Sequence, residues 1–132
     1  MDDLDRRLCD AAEKGNIEGV EKLIEQGADI NASTLVGGPL HCAAASGKTE
    51  TIKFLVKHGA KINQKNFDGE TPLHLAAQNN QKEAAVTLIQ LNADVDIRDD
   101  DNKTAIQKAS IFKKTFWAMF KAIENSNCQN RI

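Results

Sequence analysis

The chain repeats itself at a fixed interval. Residues 15–31, "GNIEGVEKLIEQGADIN", align without a gap to 47–63, "GKTETIKFLVKHGAKIN", and to 80–96, "NQKEAAVTLIQLNADVD". The offsets are 32 and 33 residues. A period of this length constrains the fold strongly, because a unit so short cannot bury its own apolar face and must stack on its neighbours. The residue that separates the two offsets falls in a loop. Asn31 to Pro39 is eight steps, whereas Asn63 to Pro72 and Asp96 to Ala105 are nine, so "ASTLVGG" is one residue short. A fourth, degraded copy runs from "DDDNKTAIQKAS" (99–110) into "KKTFWAMFKAIEN" (113–125).

Each unit reads as two short helices. Leu8, Ala11 and Ala12 open the first, with Leu40, Ala43 and Ala44, then Leu73, Ala76 and Ala77, in equivalent places. Small alanines suit a helix packed closely between neighbours. The second helix carries Val20, Leu23 and Ile24, then Ile52, Leu55 and Val56, then Ala85, Leu88 and Ile89. That i, i+3, i+4 spacing is a single apolar stripe. Gly27 and Gly59 follow where a left-handed C-terminal cap is needed, and Asn92 takes the third such place.

The segments "DGETPLHLAAQNNQKEAAVTLIQLNADVD" (68–96) and "GGPLHCAAASGKTETIKFLVKHGAKIN" (37–63) resemble the ankyrin repeats, and the resemblance extends over about residues 4–125. It implies an all-α solenoid of stacked helix-turn-helix units in one domain, 1–132, with β-hairpin loops projecting as fingers. About four repeats are implied, at 4–31, 32–63, 64–96 and 97–125, the outer two degenerate, with a polar tail at 126–132. In the family, Thr and His of Thr71-Pro72-Leu73-His74 tie the turn to the helix start and to the neighbouring repeat. The second copy has Gly38 in place of that Thr, so its finger is expected to be less firmly held. The fourth reads Thr104-Ala105-Ile106-Gln107, as a terminal cap would, and the first has no finger.

The function this implies is non-catalytic: a protein-interaction module that binds a partner protein on the concave face, as an adaptor, an inhibitor or a host-directed effector. Carried onto this sequence, the contacting positions on the fingers are Leu35, Val36, Phe67, Asp68, Glu70, Asp100, Asp101 and Lys103. Those on the first helices are Glu13, Lys14, Ala45, Ser46, Gln78, Asn79, Ile111 and Phe112. Leu35, Val36 and Phe67 are apolar on turns that ought to be polar, and exposed apolar clusters mark binding surfaces. The plainer reading is that each folds back on its own hairpin. An acidic last finger beside apolar middle fingers suggests a partner with a basic edge next to a hydrophobic knob. Asn31 and Asn63 also fit the position at which such repeats are hydroxylated in animal cells.

Bulk properties exclude other classes. A net charge of −2 offers no global positive field for nucleic acid or anionic lipid, and Lys57, Lys61 and Lys65 make only a modest basic patch. The start "MDDLDRRLCDAAEKGN" lacks signal-peptide order, and no apolar run approaches the roughly 18 residues of a membrane span. No membrane association is therefore expected, and the protein should act as a monomer. Cys9, Cys42 and Cys128 are odd in number and widely spaced, which suits neither a disulfide framework nor a zinc site. Cys128 is five residues from the end, so it is no prenylation box. A reducing compartment follows, cytoplasmic or nuclear, or a host cytosol for a secreted effector.

No phosphate loop, dinucleotide fingerprint, HExxH or GxSxG occurs, and no cofactor or metal is expected. "RDDDNK" (98–103) lacks the central Gly and terminal Glu of a calcium loop and reads as a charged turn. His41 and His74 share repeat spacing and read as structural hydrogen-bonding residues; His58 ends a helix, where a cation is favoured. Cys42 and Cys9 read as inert buried thiols. Phe112, Phe116, Phe120 and Ile123 share one helical face suited to the last interface, with Trp117 and Met119 off it. A rival reading makes the repeats the targeting domain of a larger enzyme; the Met start and polar tail are more in keeping with a complete small protein.

Overall fold

A computed structural model describes residues 3–109. Its helices are α1 (Asp3–Lys14), α2 (Ile17–Glu25), α3 (Pro39–Ala45), α4 (Thr49–Lys57), α5 (Pro72–Gln78), α6 (Lys82–Gln90) and α7 (Ala105–Lys108). Helices α1, α3, α5 and α7 pack side by side in one row, and α2, α4 and α6 in a second. Within a repeat, α2 lies on α1, α4 on α3 and α6 on α5. This is the expected all-α solenoid. The fourth repeat is entered only as α7; Ile111, Phe112, Phe116, Trp117, Met119, Phe120, Ile123 and Cys128 lie outside the described residues.

Helices of seven to nine residues are too short to persist alone in water, so packing must hold them. Leu8, Leu40 and Leu73 are sealed between the rows, as are Ile52, Leu55 and Leu88. Ala12, Ala44 and Ala77 are equally buried and let the first-row helices approach closely. Leu23 and Ile24 are only half-buried, although their counterpart Leu55 is sealed. No repeat covers the outer side of α2 among the described residues, and that side keeps its solvent.

The helix ends follow the sequence signals. Gly27, Gly59 and Asn92 sit at φ +102°, +100° and +72°. Behind them Ala28, Ala60 and Ala93 donate backbone N–H groups to Leu23, Leu55 and Leu88 carbonyls at 3.0, 2.9 and 3.0 Å. This closes the last turn of each second-row helix in the same way. At the start of α5, Thr71 N–H donates to His74 Nδ1 at 3.1 Å, and Thr71 Oγ1 lies 2.8 Å from the same nitrogen. Nδ1 is thus the acceptor, so Nε2 carries the proton and donates to the Lys103 carbonyl at 2.9 Å. One imidazole fastens its own helix start to the next finger.

The second repeat performs the same task without the Thr. Gly38 N–H donates to His41 Nδ1 at 3.2 Å, and His41 Nε2 reaches the Glu70 carbonyl at 2.8 Å. The shortened loop explains the glycine: a Cβ on Gly38 would stand 2.7 Å from the Ala32 carbonyl oxygen. The start of α3 has no side-chain hydroxyl cap, and a different hydroxyl, that of Thr34, closes the finger itself. Its Oγ1 accepts from Val36 N–H at 3.2 Å and Gly37 N–H at 3.3 Å, and donates to the Gly37 carbonyl at 2.9 Å. The finger expected to be weakly held is therefore braced by a different residue.

Side chains also strap consecutive repeats together. Lys61 N–H donates to Asn31 Oδ1 at 2.8 Å, and Asp94 N–H to Asn63 Oδ1 at 2.9 Å. In the first repeat Asp5 on α1 takes that part, accepting from Asp29 N–H at 2.7 Å. The fingers are shorter than the β-hairpins expected. Among the described residues none reaches strand length; each is a tight turn closed by a main-chain bond, Asn66 N–H to Glu70 O and Asp99 N–H to Lys103 O, both 2.9 Å. Neighbouring fingers touch through Phe67 N–H to Leu35 O (3.3 Å) and Asp100 N–H to Asp68 O (3.0 Å).

Candidate partner-binding surface

Each finger is shaped by one polar residue that folds its side chain onto its own turn. In the first this is Thr34. In the second, Asn66 Oδ1 accepts from Asp68 and Glu70 N–H, both at 2.9 Å, while its Nδ2 donates to the Val36 carbonyl at 2.8 Å. In the third, Asp99 Oδ1 accepts from Asp101 and Lys103 N–H, again at 2.9 Å. With the turn shaped by one residue, the remaining side chains of the loop are not needed to form it.

Those remaining side chains include the apolar trio. Leu35, Val36 and Phe67 are 72%, 57% and 75% exposed, and they are the exposed large hydrophobics of the described residues. None of them folds back on its hairpin. They lie on adjacent fingers joined by the Phe67–Leu35 main-chain bond. Beside them Asp68, Asp100 and Asp101 are exposed, and their carboxylates enter no ion pair or hydrogen bond among the described residues. Gln78 and Asn79 are exposed at the end of α5, where Asn79 Nδ2 donates to the Leu75 carbonyl at 2.8 Å. Glu13 and Lys14 are exposed at the end of α1, and Ala45 and Ser46 are half-buried.

Glu70 departs from expectation. Rather than facing solvent from a finger tip, its side chain is 9% exposed and turned in toward α7. There Lys108 Nζ lies 2.6 Å from Glu70 Oε2 and 2.5 Å from Asp99 Oδ2. Asp99 Oδ2 is enclosed and has no hydrogen-bond partner apart from that ammonium. Burial alone would raise the Asp99 pKa, but Lys108 and the backbone N–H groups of Lys103 and Asp101 bring it below the usual carboxylate value. Burial likewise works against the charge on Lys108, and the two carboxylates outweigh it, raising its pKa. Glu70 is thus engaged inside the structure and is withdrawn from the contact set. The repeat register does mark the turn role of Asp99, which stands where the turn-forming Asn66 stands one repeat earlier, but not the inward turn of Glu70.

Both ring nitrogens of His41 and of His74 are committed to backbone groups, which leaves these two imidazoles no free nitrogen for proton transfer. Burial lowers the pKa of His41, against the raising influence of the Glu70 carbonyl and carboxylate. Cys9 is buried and Cys42 half-buried on the neighbouring helices α1 and α3. The Cys42 thiol donates toward Cys9, lowering the Cys9 pKa against burial and the nearby Asp10 and Asp5. For Cys42 the shared proton, burial and the acids Glu13 and Asp10 all raise the pKa. A cleft of ≈ 250 Å³ lies between the turns at Gly15 and Gly47, lined also by Ile17, Lys48, Thr49, Glu50 and Thr51, away from the fingers. No group of three or more metal-ligating side chains occurs among the described residues, and no helix there is long and apolar enough to cross a membrane.

Known proteins share this repeat. Human protein phosphatase 1 regulatory subunit 27 is 40% identical over 66 residues, covering 49% of this chain and 43% of that protein. Mouse 2-5A-dependent ribonuclease is 37% identical over 70 residues, 52% of this chain but 10% of the relative. Human ankyrin repeat domain-containing protein 40 is 37% identical over 68 residues, 50% of this chain and 18% of the relative. In each case the chain spans less than half of the relative's length. A family model for ankyrin repeats, in three copies, matches residues 8–99. With the stacked helix pairs, the His-anchored turns and the left-handed Gly or Asn after each second helix all in phase with that match, the chain belongs to the ankyrin repeat family.

Proposed function

We propose that this chain is a non-catalytic binding module that holds a partner protein against its fingers, the exposed ends of α1 and α5 and the half-buried end of α3 between them. Ankyrin repeats generally mediate protein–protein interaction, and one relative is named as a phosphatase regulatory subunit. The observation that carries the reading is the apolar trio. A folded chain gains nothing by keeping Leu35, Val36 and Phe67 in water on adjacent turns, whereas an interface core is made of such side chains. The mechanism is rigid presentation. Fingers pinned by Thr34, Asn66 and Asp99 lose little conformational entropy on binding, so more of the interface energy appears as affinity. A standard interface needs roughly 800 Å² per partner, so contacts from the fingers and from the helix ends would have to act together.

Affinity capture with the Leu35→Ser, Phe67→Ser double variant, beside a Lys53→Glu, Lys57→Glu variant on the outer surface of α4, tests this. The finger variant should lose its partners and keep its melting temperature, because both side chains are already exposed. Partners kept by the finger variant and lost by the α4 variant would refute the concave-face reading. A second reading is favoured by the ribonuclease match, in which the matched stretch is a tenth of the relative. On that reading the module recruits a substrate to a catalytic domain encoded beyond it. A transcript whose open frame continues on either side of this sequence into a catalytic domain would support it, and one bounded by stop codons without such a domain would exclude it.

A further inference from the structure

We propose that the finger row recognises a partner segment that places an aliphatic or aromatic side chain beside a lysine or arginine; this rests on the concave-face reading above and specifies its partner. The acidic residues of the fingers divide into two kinds. Asp99 and Glu70 are used by the fold, the first as a turn former and both as partners of Lys108. Asp68, Asp100 and Asp101 are used by nothing: they cap no turn and pair with no cation among the described residues. All three lie inside the turns, beyond the closing bonds at Asn66–Glu70 and Asp99–Lys103. The cations nearby are placed differently. Lys65 and Lys103 stand at the finger bases, Lys108 is sequestered, and Arg98 is tied to the Asn102 carbonyl at 3.0 Å.

The row of tips therefore runs from apolar to acidic. Leu35 and Val36 come first, Phe67 and Asp68 share the middle finger, and Asp100 and Asp101 end it. Where main-chain bonds join them, neighbouring fingers are about 5 Å apart. The apolar and acidic centres are thus separated by roughly 5–10 Å, which an extended segment covers in two or three residues. A helix covers it in about one turn of 5.4 Å. An apolar anchor fills the Phe67–Leu35 patch while a cationic head meets carboxylates that the chain itself leaves unneutralised.

The test is panning of a displayed random-peptide library on the full chain and on three variants. These are Phe67→Ser; Asp68→Asn, Asp100→Asn, Asp101→Asn; and Gln78→Ala, Asn79→Ala. All the replaced side chains are exposed, and far-UV circular dichroism confirms that each variant is folded. The expected enrichment is an apolar residue paired with Lys or Arg at that spacing. The triple Asn variant should bind the selected peptides about tenfold more weakly at low salt, less so at high salt, and lose the preference for a cation while keeping that for an apolar residue. No enrichment, a preference for acidic residues, or an unaffected triple variant overturns the proposal. If Phe67→Ser abolishes binding and the triple variant does not, the partner class is wrong and the concave-face reading stands. If selected peptides bind all three variants as they bind the natural chain, both fail.

Discussion

Restoring the family's Thr at position 38 should destabilise this protein. Motif reasoning gives the opposite sign. A Thr side chain at a helix N-cap contributes roughly 0.3 kcal/mol over Gly, itself a tolerated cap. Replacing Gly in an extended conformation (φ −93°, ψ −170°) adds ~0.4–1 kcal/mol by restricting the unfolded chain. The structure opposes this with a steric term. The new Cβ would stand 2.7 Å from the Ala32 carbonyl oxygen and 3.2 Å from Gln64 Oε1. A carbon–oxygen contact relaxes only near 3.3 Å, so the main chain must part by about 0.6 Å. Neither neighbour yields easily, since Ala32 N–H donates to the Asp29 carbonyl at 3.0 Å and Gln64 Nε2 to the Asn31 carbonyl at 2.8 Å. Overpacking of this kind costs ~1–3 kcal/mol, and main-chain neighbours place it at the upper end. The net is a loss of about 1–2 kcal/mol where the motif alone promises a gain of about 1. Urea titrations followed by far-UV circular dichroism separate these outcomes, as does a melting temperature lowered by roughly 3–10 °C. Gly38→Ala, which adds the Cβ without the hydroxyl, should lose more. One residue inserted after Ser33 should make room and turn Gly38→Thr into a stabilising change. A rise in midpoint for Gly38→Thr in the natural loop would refute the argument.

Lys108→Met leaves Glu70 and Asp99 facing each other without a cation. Breaking a buried pair costs ~3–5 kcal/mol, and partial exposure of the lysine reduces this to about 2–3. Because Asp99 titrates below its ordinary 3.8, its contribution is present above that pH and lost as pH falls through the lower folded value, so natural and variant curves should converge in acid. A difference in denaturation midpoint that is flat from neutral pH to pH 3 would contradict this. His41 gives a second pH window. Its pKa is lowered from the ordinary 6.5, so the unfolded chain binds the proton more readily; stability is full above pH 6.5 and declines as pH falls toward the folded value. His41→Gln should be less stable at neutral pH and show a shallower slope between pH 7 and 5 in the same titrations. For the thiols, Cys42 should resist iodoacetamide at pH 8 in the folded protein and react on unfolding, because burial, Cys9 and the acids Glu13 and Asp10 all hold its proton. Rapid native labelling of Cys42, read by mass spectrometry, would show that the thiol pair is not formed.

The periodicity alone determined the architecture. Equivalent Leu, Ala and Gly at a spacing of 32 or 33 residues can be satisfied together only by translated copies, so helix pairs, stripes and left-handed caps were legible from residue types. The apolar trio was legible too, since Leu35, Val36 and Phe67 stand where turn chemistry calls for polar residues. What the sequence could not show was which polar residues the fold would use. Glu70 and Asp68 are near neighbours in one finger, yet one points inward to Lys108, 38 residues away, and the other outward into water. Gly38 read as a lost Thr, and only the proximity of Ala32 shows that the shorter loop excludes a side chain there. Both decisions depend on distances between segments remote in sequence. Local patterns report which face of a helix is apolar; they carry no record of where a neighbouring repeat's carbonyl or ammonium will stand once the copies are stacked.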